Sequence, residues 1–391
     1  MQPVSVKWNI NIKKYTTMRF TLSSSVLNSR LQTLSKVINS KNPLQILDCF
    51  LFECHDSELR ITASDNENTM KTVMHLDYQE GEGRFAIPNR TILDAVKELP
   101  EQPLTFNVDT DNYAVTISYQ NGEYHFACQS ADEYPLPVNN LDGQTVLTMK
   151  SSILSECISR AIFATDNNEV RPVMNGIYFD LTNDKLSIVA TDGHKLVRNI
   201  NFDVRGDMPA SFILPKKPAT LLRNSLAKDD SDVTVCFTSR NAQITFGETT
   251  LVCILIEGRY PNYNSVIPLD NPNVLTLDRR TLLSAIKRVL PFASASSQLI
   301  RFNIEIGKVE VSSEDIDFST SAKEALICDY GGQKMSIGFR GDSLIEILNS
   351  LDSDEVSIKL ADPSRAGVVV PVTQPENQEI LMLVMPMLIS D

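Results

Sequence analysis

No Cys-x-x-Cys pair occurs in the 391 residues, and the seven cysteines (Cys49, Cys54, Cys128, Cys157, Cys236, Cys253 and Cys328) are scattered and odd in number. That speaks against a zinc site or a disulfide framework. It suits reduced, mostly buried thiols in a cytoplasm. Histidine is scarce, with His55, His75, His125 and His194 in separate patterns, and no Gly-x-Ser-x-Gly or Cys-His arrangement accompanies them. No cofactor or metal is expected. Long apolar runs are missing: "EILMLVMPMLI" (379–389) is too short and proline-broken to span a bilayer. The opening "MQPVSVKWNINIKKYTT" (1–17) lacks the apolar core of a secretion signal and any periodic pattern. It is read as a poorly ordered leader. A helix-turn-helix, a zinc finger and an aromatic platform between basic residues are likewise absent.

What remains is an ordinary globular composition, 42% hydrophobic and 22% charged, long enough for two to four domains. Three segments resemble one another: "RFTLSSSVLNSRLQTLSKVI" from Arg19, "VLTMKSSILSECISRAIFA" from Val146 and "VLTLDRRTLLSAIKRVLPFA" from Val274. Phe20, Leu147 and Leu275 correspond, as do Leu27, Leu154 and Leu282. Each segment reads as a strand, a polar start and a helix. Each leads to a hairpin pattern with its turn at Asp56–Ser57, Asn183–Asp184 or Gly307–Lys308. Second helices follow in "FAIPNRTILDAVKEL", "FILPKKPATLLRNSL" and "SIGFRGDSLIEILNSL". The order β-α-βββ-α-ββ thus occurs three times, an α+β class with antiparallel sheets. Domains are expected at 18–142, 143–270 and 271–391, divided near "NNLDGQ" and "PLDNPN".

A net charge of −13 argues against a nucleic-acid partner when taken alone. Its distribution argues otherwise. The first-helix regions 23–41, 150–163 and 279–290 carry +3, +1 and +4, and the middle second helix adds Lys216, Lys217, Arg223 and Lys228. Solvated helix faces would account for this. So would a shared basic surface that meets duplex DNA at its phosphates, without sequence preference.

The stretch "SIVATDGHKLVR" (187–198) poses a second question. Asp192 and His194 could be a catalytic pair, part of a metal site, or a turn with Gly193 at positive φ. Three alternatives stay open on these residues: a hydrolase using Asp192 and His194, a protein-binding repeat scaffold, and a DNA-encircling protein.

"ATDGHKLV" resembles the ATDGHRLA signature of the bacterial replicative sliding clamps, the beta subunits of DNA polymerase III. "RPVMNGIYFD" (171–180), "EGRYPNYNSVIP" (257–268) and "LVMPM" (383–387) resemble further segments of that family, in its order and spacing. The resemblance implies a non-enzymatic processivity factor: a head-to-tail homodimer of three-domain subunits, closed into a ring around duplex DNA, with helices lining the hole. It implies a pocket for short peptides, carrying Gln and Leu/Phe anchors, from the replicative polymerase, the clamp loader and repair proteins. By motif position its wall is Met174, Thr191, Gly193, His194, Lys195, Leu196, Pro261, Val266, Leu383, Val384, Met385, Pro386 and Met387. Lys195 stands where arginine is usual, and Ser265 and Leu388 where some members carry arginine. For DNA the resemblance supports Lys41, Arg90, Arg171, Lys216 and Lys217. At the dimer edge, "GEYHFAC" (122–128) would bring Tyr124 and Phe126 against Leu290 and Phe292.

Overall fold

The computed structural model describes residues 17–137, 142–168, 170–227, 229 and 231–389. The expected leader, except Thr17, lies outside them, as do Lys228 and part of the "NNLDGQ" boundary. Among the described residues six α-helices follow the three repeats: α1 Ser24–Ser35, α2 Asn89–Val96, α3 Ser151–Ala161, α4 Lys216–Ser225, α5 Arg279–Val289 and α6 Gly341–Ser350. Ser23 and Asp278 cap α1 and α5 by accepting bonds from the Val26 and Thr281 amides. At α3, where Lys150 cannot cap, the Ser152 amide bonds the Asp229 carbonyl instead. None of these helices is long and apolar enough to cross a membrane.

Each repeat is richer in strands than its sequence pattern suggests. Four strands lie between the helices and three follow the second helix, with a short extra strand, Tyr78–Glu80, in the first repeat. The β-α-βββ-α-ββ order is corrected accordingly. In the first hairpin, Asp56 and Ser57 take positive φ as a two-residue turn demands. In the third, Glu305 pairs with Lys308, so the turn is Ile306–Gly307, one residue earlier than expected. The reason is that Gly307, at φ 70°, occupies the second turn position.

By contacts the chain divides into two compact units, one holding residues up to Val146 plus Ser231–Ile254, the other Leu147–Asp230 plus Leu255 onward. The middle repeat is shared between them because strands pair across repeat boundaries. In the first unit, Thr249–Ile254 pairs with Asn68–His75. A separate five-stranded sheet there runs Tyr78–Glu80, Thr17–Ser23, Pro103–Asp109, Ala114–Tyr119, Gly122–Ala127. In the second unit an eight-stranded sheet runs Ala210–Pro215, Gly176–Leu181, Leu186–Thr191, Lys195–Asn201, Gln378–Val384, Gly367–Pro371, Glu355–Leu360, Asn273–Asp278. A four-stranded sheet ends on Thr320–Ile327.

The corresponding apolar residues form the cores. Phe20, Leu147, Leu275, Leu27, Leu154 and Leu282 are all at most 3% exposed. Each contributes about 1.5–3 kcal/mol by leaving water. Within each repeat the two helices pack on each other.

A candidate peptide pocket and the cations around it

The Asp-Gly-His turn is a backbone device that each repeat contains. Asp192 Oδ1 accepts the amides of His194 (2.8 Å) and Lys195 (2.9 Å). Asp65 does the same for Glu67 and Asn68, and Asp315 for Asp317 and Phe318. Thr191 Oγ1 accepts the Gly193 amide and donates to the Lys195 carbonyl. Gly193 sits at φ 89°, and a Cβ there would stand 2.9 Å from the Arg171 guanidinium. The Asp192 carboxylate is thus spent on the turn and on Lys195 Nζ at 3.2 Å. It does not orient the His194 imidazole, which is exposed. The hydrolase alternative fails on this geometry.

Beyond the turn the expected wall residues are joined along the strand pairing. Lys195 lies opposite Val384 and Leu196 opposite Leu383. The chain then continues past the strand, and the Met385 amide donates to the His194 carbonyl at 2.8 Å. Two residues on, the Met387 amide bonds the Gly338 carbonyl. The C-terminal segment is therefore laced to the turn by backbone bonds. Beneath lies one apolar cluster of Val189, Leu196, Ile213, Tyr260, Tyr263, Val368 and Leu383, with Val173, Tyr178 and Ile267 packed against it. Tyr178 and Tyr260 stack at 4.6 Å, and the Tyr263 hydroxyl donates to Asp180 at 2.8 Å.

The expected wall residues sort into a floor and a rim. Thr191, Leu196, Leu383, Val384 and Met174 are buried. Gly193, His194 and Pro261 are exposed, as are Val266 (57%) and Met385 (43%). Pro386 and Met387 are half-buried. The aromatic layer of Tyr178, Tyr260 and Tyr263 was not among the expected residues. The tyrosines of "EGRYPNYNSVIP" were its only local signal.

Lys195 works from the other side of the turn. Its ammonium lies 2.9 Å from Glu346 of α6 and 5.9 Å above the Phe163 ring. Burial alone would push its pKa down, but the Glu346 hydrogen bond and the Asp192 and Glu346 charges outweigh this and hold it above the ordinary 10.5. A polar cavity of about 400 Å3 adjoins it, lined by Phe163, Asp166, Asn167, Lys216, Arg223 and Glu346 among others. This cavity is distinct from the apolar floor, although Asp192 and Lys195 border both.

The five residues singled out for DNA fare differently. Lys41, after α1, and Arg90, the second residue of α2, are exposed. Lys216 and Lys217 open α4 with no acid in its first turn, and Lys216 Nζ donates to Asn167 at 2.8 Å. Arg171 is bound into the turn: it pairs with Asp166 at 2.9 Å and donates to the Asp192 carbonyl at 3.1 Å. The helix charge pattern also needs correction. Arg160 is buried against Glu156 and Asp352, Arg279 bonds the Leu348 and Ser353 carbonyls, and Arg288 pairs with Glu324. These side chains are engaged within the protein; Glu156 is the i,i+4 neighbour of Arg160, but Asp352 and the partners of Arg279 and Arg288 lie outside their helices, where spacing could not reveal them.

Family models settle the kinship. The central domain of the DNA polymerase III beta subunit matches residues 148–262, the N-terminal domain 18–140 and the C-terminal domain 264–388. The chain belongs to the DNA polymerase III beta subunit family. Among its relatives, the beta sliding clamp of Pseudomonas putida is 24% identical over 95% of this chain and 100% of its own. The fold is that of a Pseudomonas aeruginosa sliding clamp bound to griselimycin (TM-score 0.89, 23% identity, 95% and 100% coverage). It is also that of a Bartonella birtlesii sliding clamp bound to the same compound (TM-score 0.88, 26% identity, 95% and 100% coverage).

Proposed function

We propose that this chain is a DNA sliding clamp: a protein, not an enzyme, that encircles duplex DNA without reading its sequence and tethers the replicative polymerase. The observation that carries the reading is the lacing of the Met385 amide to the His194 carbonyl over a buried apolar floor. His194, Val266 and Met385 stay exposed. An exposed rim beside an apolar floor suits a short peptide with apolar anchors, and methionine adapts to several sequences. Clamp-loader and repair proteins would share it.

For DNA, Lys41, Arg90, Lys216 and Lys217 are the favoured phosphate contacts. Lysines at the positive end of α4 gain nothing from that helix, which is understandable if an anion faces them. Arg171 is better placed to brace the pocket turn, with phosphate contact secondary. A homodimer in a cytoplasm completes the reading. Tyr124 and Phe126 lie half-buried on the edge strand Gly122–Ala127, and Leu290 and Phe292 lie in the turn after α5, partly uncovered.

The test is retention on circular DNA. Once loaded, the protein should stay on a closed circle and run off the same DNA when linearised. Equal loss from both would overturn the clamp and favour a scaffold that binds only proteins.

A further inference from the structure

The turn at Asp65 in the first repeat is built like the turn at His194, contact for contact, and lies wholly in the first compact unit. Asp65 Oδ1 accepts the amides of Glu67 (3.0 Å) and Asn68 (2.6 Å), as Asp192 does for His194 and Lys195. Ser64 Oγ accepts the Asn66 amide and donates to the Asn68 carbonyl, where Thr191 serves Gly193 and Lys195. Asn66 sits at φ 82°, beside 89° for Gly193. The Ile254 amide donates to the Glu67 carbonyl at 3.1 Å, the counterpart of Met385 on His194.

An apolar floor accompanies this turn as well. Leu47, Leu51, Ala131 and Tyr134 form one buried cluster, with Ile46 packed against it. Tyr134-Pro135 matches Tyr260-Pro261 of the middle repeat, and the Tyr134 hydroxyl is held by the Cys49 and Thr62 carbonyls at 3.2 and 3.4 Å. Three large apolar side chains attached to these groups face water: Leu44 (47%), Leu136 (54%) and Ile254 (51%). Ile254 is the residue laced to the turn, and Leu136 comes two residues after Tyr134. Leu44 immediately precedes the short helical turn Gln45–Asp48, just as Arg171 precedes Pro172–Met174. Uncovered apolar side chains gathered beside a buried floor mark an interaction surface.

The charge is where the two turns differ. Arg171, His194 and Lys195 of the middle repeat have Leu44, Glu67 and Asn68 as counterparts at one constant offset. Asp132 pairs with Arg84 at 3.2 Å. Glu67 and Glu133 are exposed and have no ion pair among the described residues. We propose that this turn is a second peptide-docking site, taking a short partner segment whose apolar anchors are flanked by lysine or arginine. The anchors cover Leu44, Leu136 and Ile254, and the flanking cations meet Glu67 and Glu133. Acidic flanks are rejected by the same carboxylates. The site goes beyond the pocket at His194 and does not depend on it, since floor, rim and charge all belong to the first unit.

Two probes on the full-length chain test this: a short peptide with Gln, Leu and Phe anchors flanked by lysines, and the same peptide flanked by glutamates. By calorimetry, Leu136→Asp should weaken the lysine peptide about tenfold, and Glu67→Lys about three- to tenfold. Neither should move the glutamate peptide, which His194→Ala should weaken instead. Leu136 is exposed, so unfolding of Leu136→Asp should match the parent chain; Leu44→Asp is the second variant, expected to behave the same way. No binding of the lysine peptide, or binding that Leu136→Asp and Glu67→Lys leave unchanged, overturns the second site. A chain that self-associates through this rim, with Leu136→Asp abolishing the association, assigns it to a second copy and overturns the proposal too. A glutamate peptide that ignores His194→Ala counts against the His194 pocket alone.

Discussion

Asp192 and His194 are two positions apart and have different roles. Asp192 builds the turn from within, so Asp192→Ala should destabilise the unit by about 1–3 kcal/mol, read from denaturant unfolding. Gly193→Ala should cost about as much, because its φ is left-handed and the Arg171 guanidinium occupies the space a Cβ needs. His194 is exposed and holds nothing in place with its ring. His194→Ala should leave unfolding unchanged within about 0.5 kcal/mol while weakening an anchor peptide about tenfold by calorimetry. A stability loss without an affinity loss would reverse these roles. Lys195 adds a pH dependence. Its folded pKa is raised, so its stabilisation is complete below the ordinary 10.5 and fades as pH rises past the folded value. Glu346→Gln should blunt that alkaline loss.

At the scale of elements, buried thiols report on packing. Burial pushes Cys54, Cys157 and Cys253 from 9.0 up to about 12 and Cys49 and Cys128 to about 11. An unfolded chain ionises these thiols near 9 and the folded chain does not. Their contribution is therefore whole below pH 9 and is lost as pH climbs toward 12. Unfolding midpoints should fall steadily over that window. At pH 8 a thiol reagent should label at most Cys236 quickly, since the other six are buried, and all seven after denaturation. Fast labelling of more than one would show that the sheets open locally. The elements themselves were largely legible. Ser23 and Asp278 cap helices where a polar residue precedes an apolar period, and Pro88 and Pro215 precede α2 and α4 as their positions suggest. The missed strands have a simple cause: in two-sided sheets, burial on both faces erases the alternation that marks a strand. Lys195–Asn201, one of them, is buried at five of its seven positions.

For the whole molecule, association and DNA binding are the decisive measurements. Sedimentation should give a dimer. Lys216→Ala with Lys217→Ala should weaken DNA binding uniformly across sequences and flatten its salt dependence by about one to two charges. The sequence alone determined the threefold repeat, two helices in each repeat and the family, because each is written in spacings of a few residues or in periods that recur. Only the tertiary structure decided which cations are already answered, that Lys195 is braced by Glu346, and that the chain's end is bonded to the turn at His194. The contacts of Lys195 with Glu346 and of Met385 with His194 join residues far apart in sequence, and their partners are chosen by how the strands register across repeats rather than by any local preference.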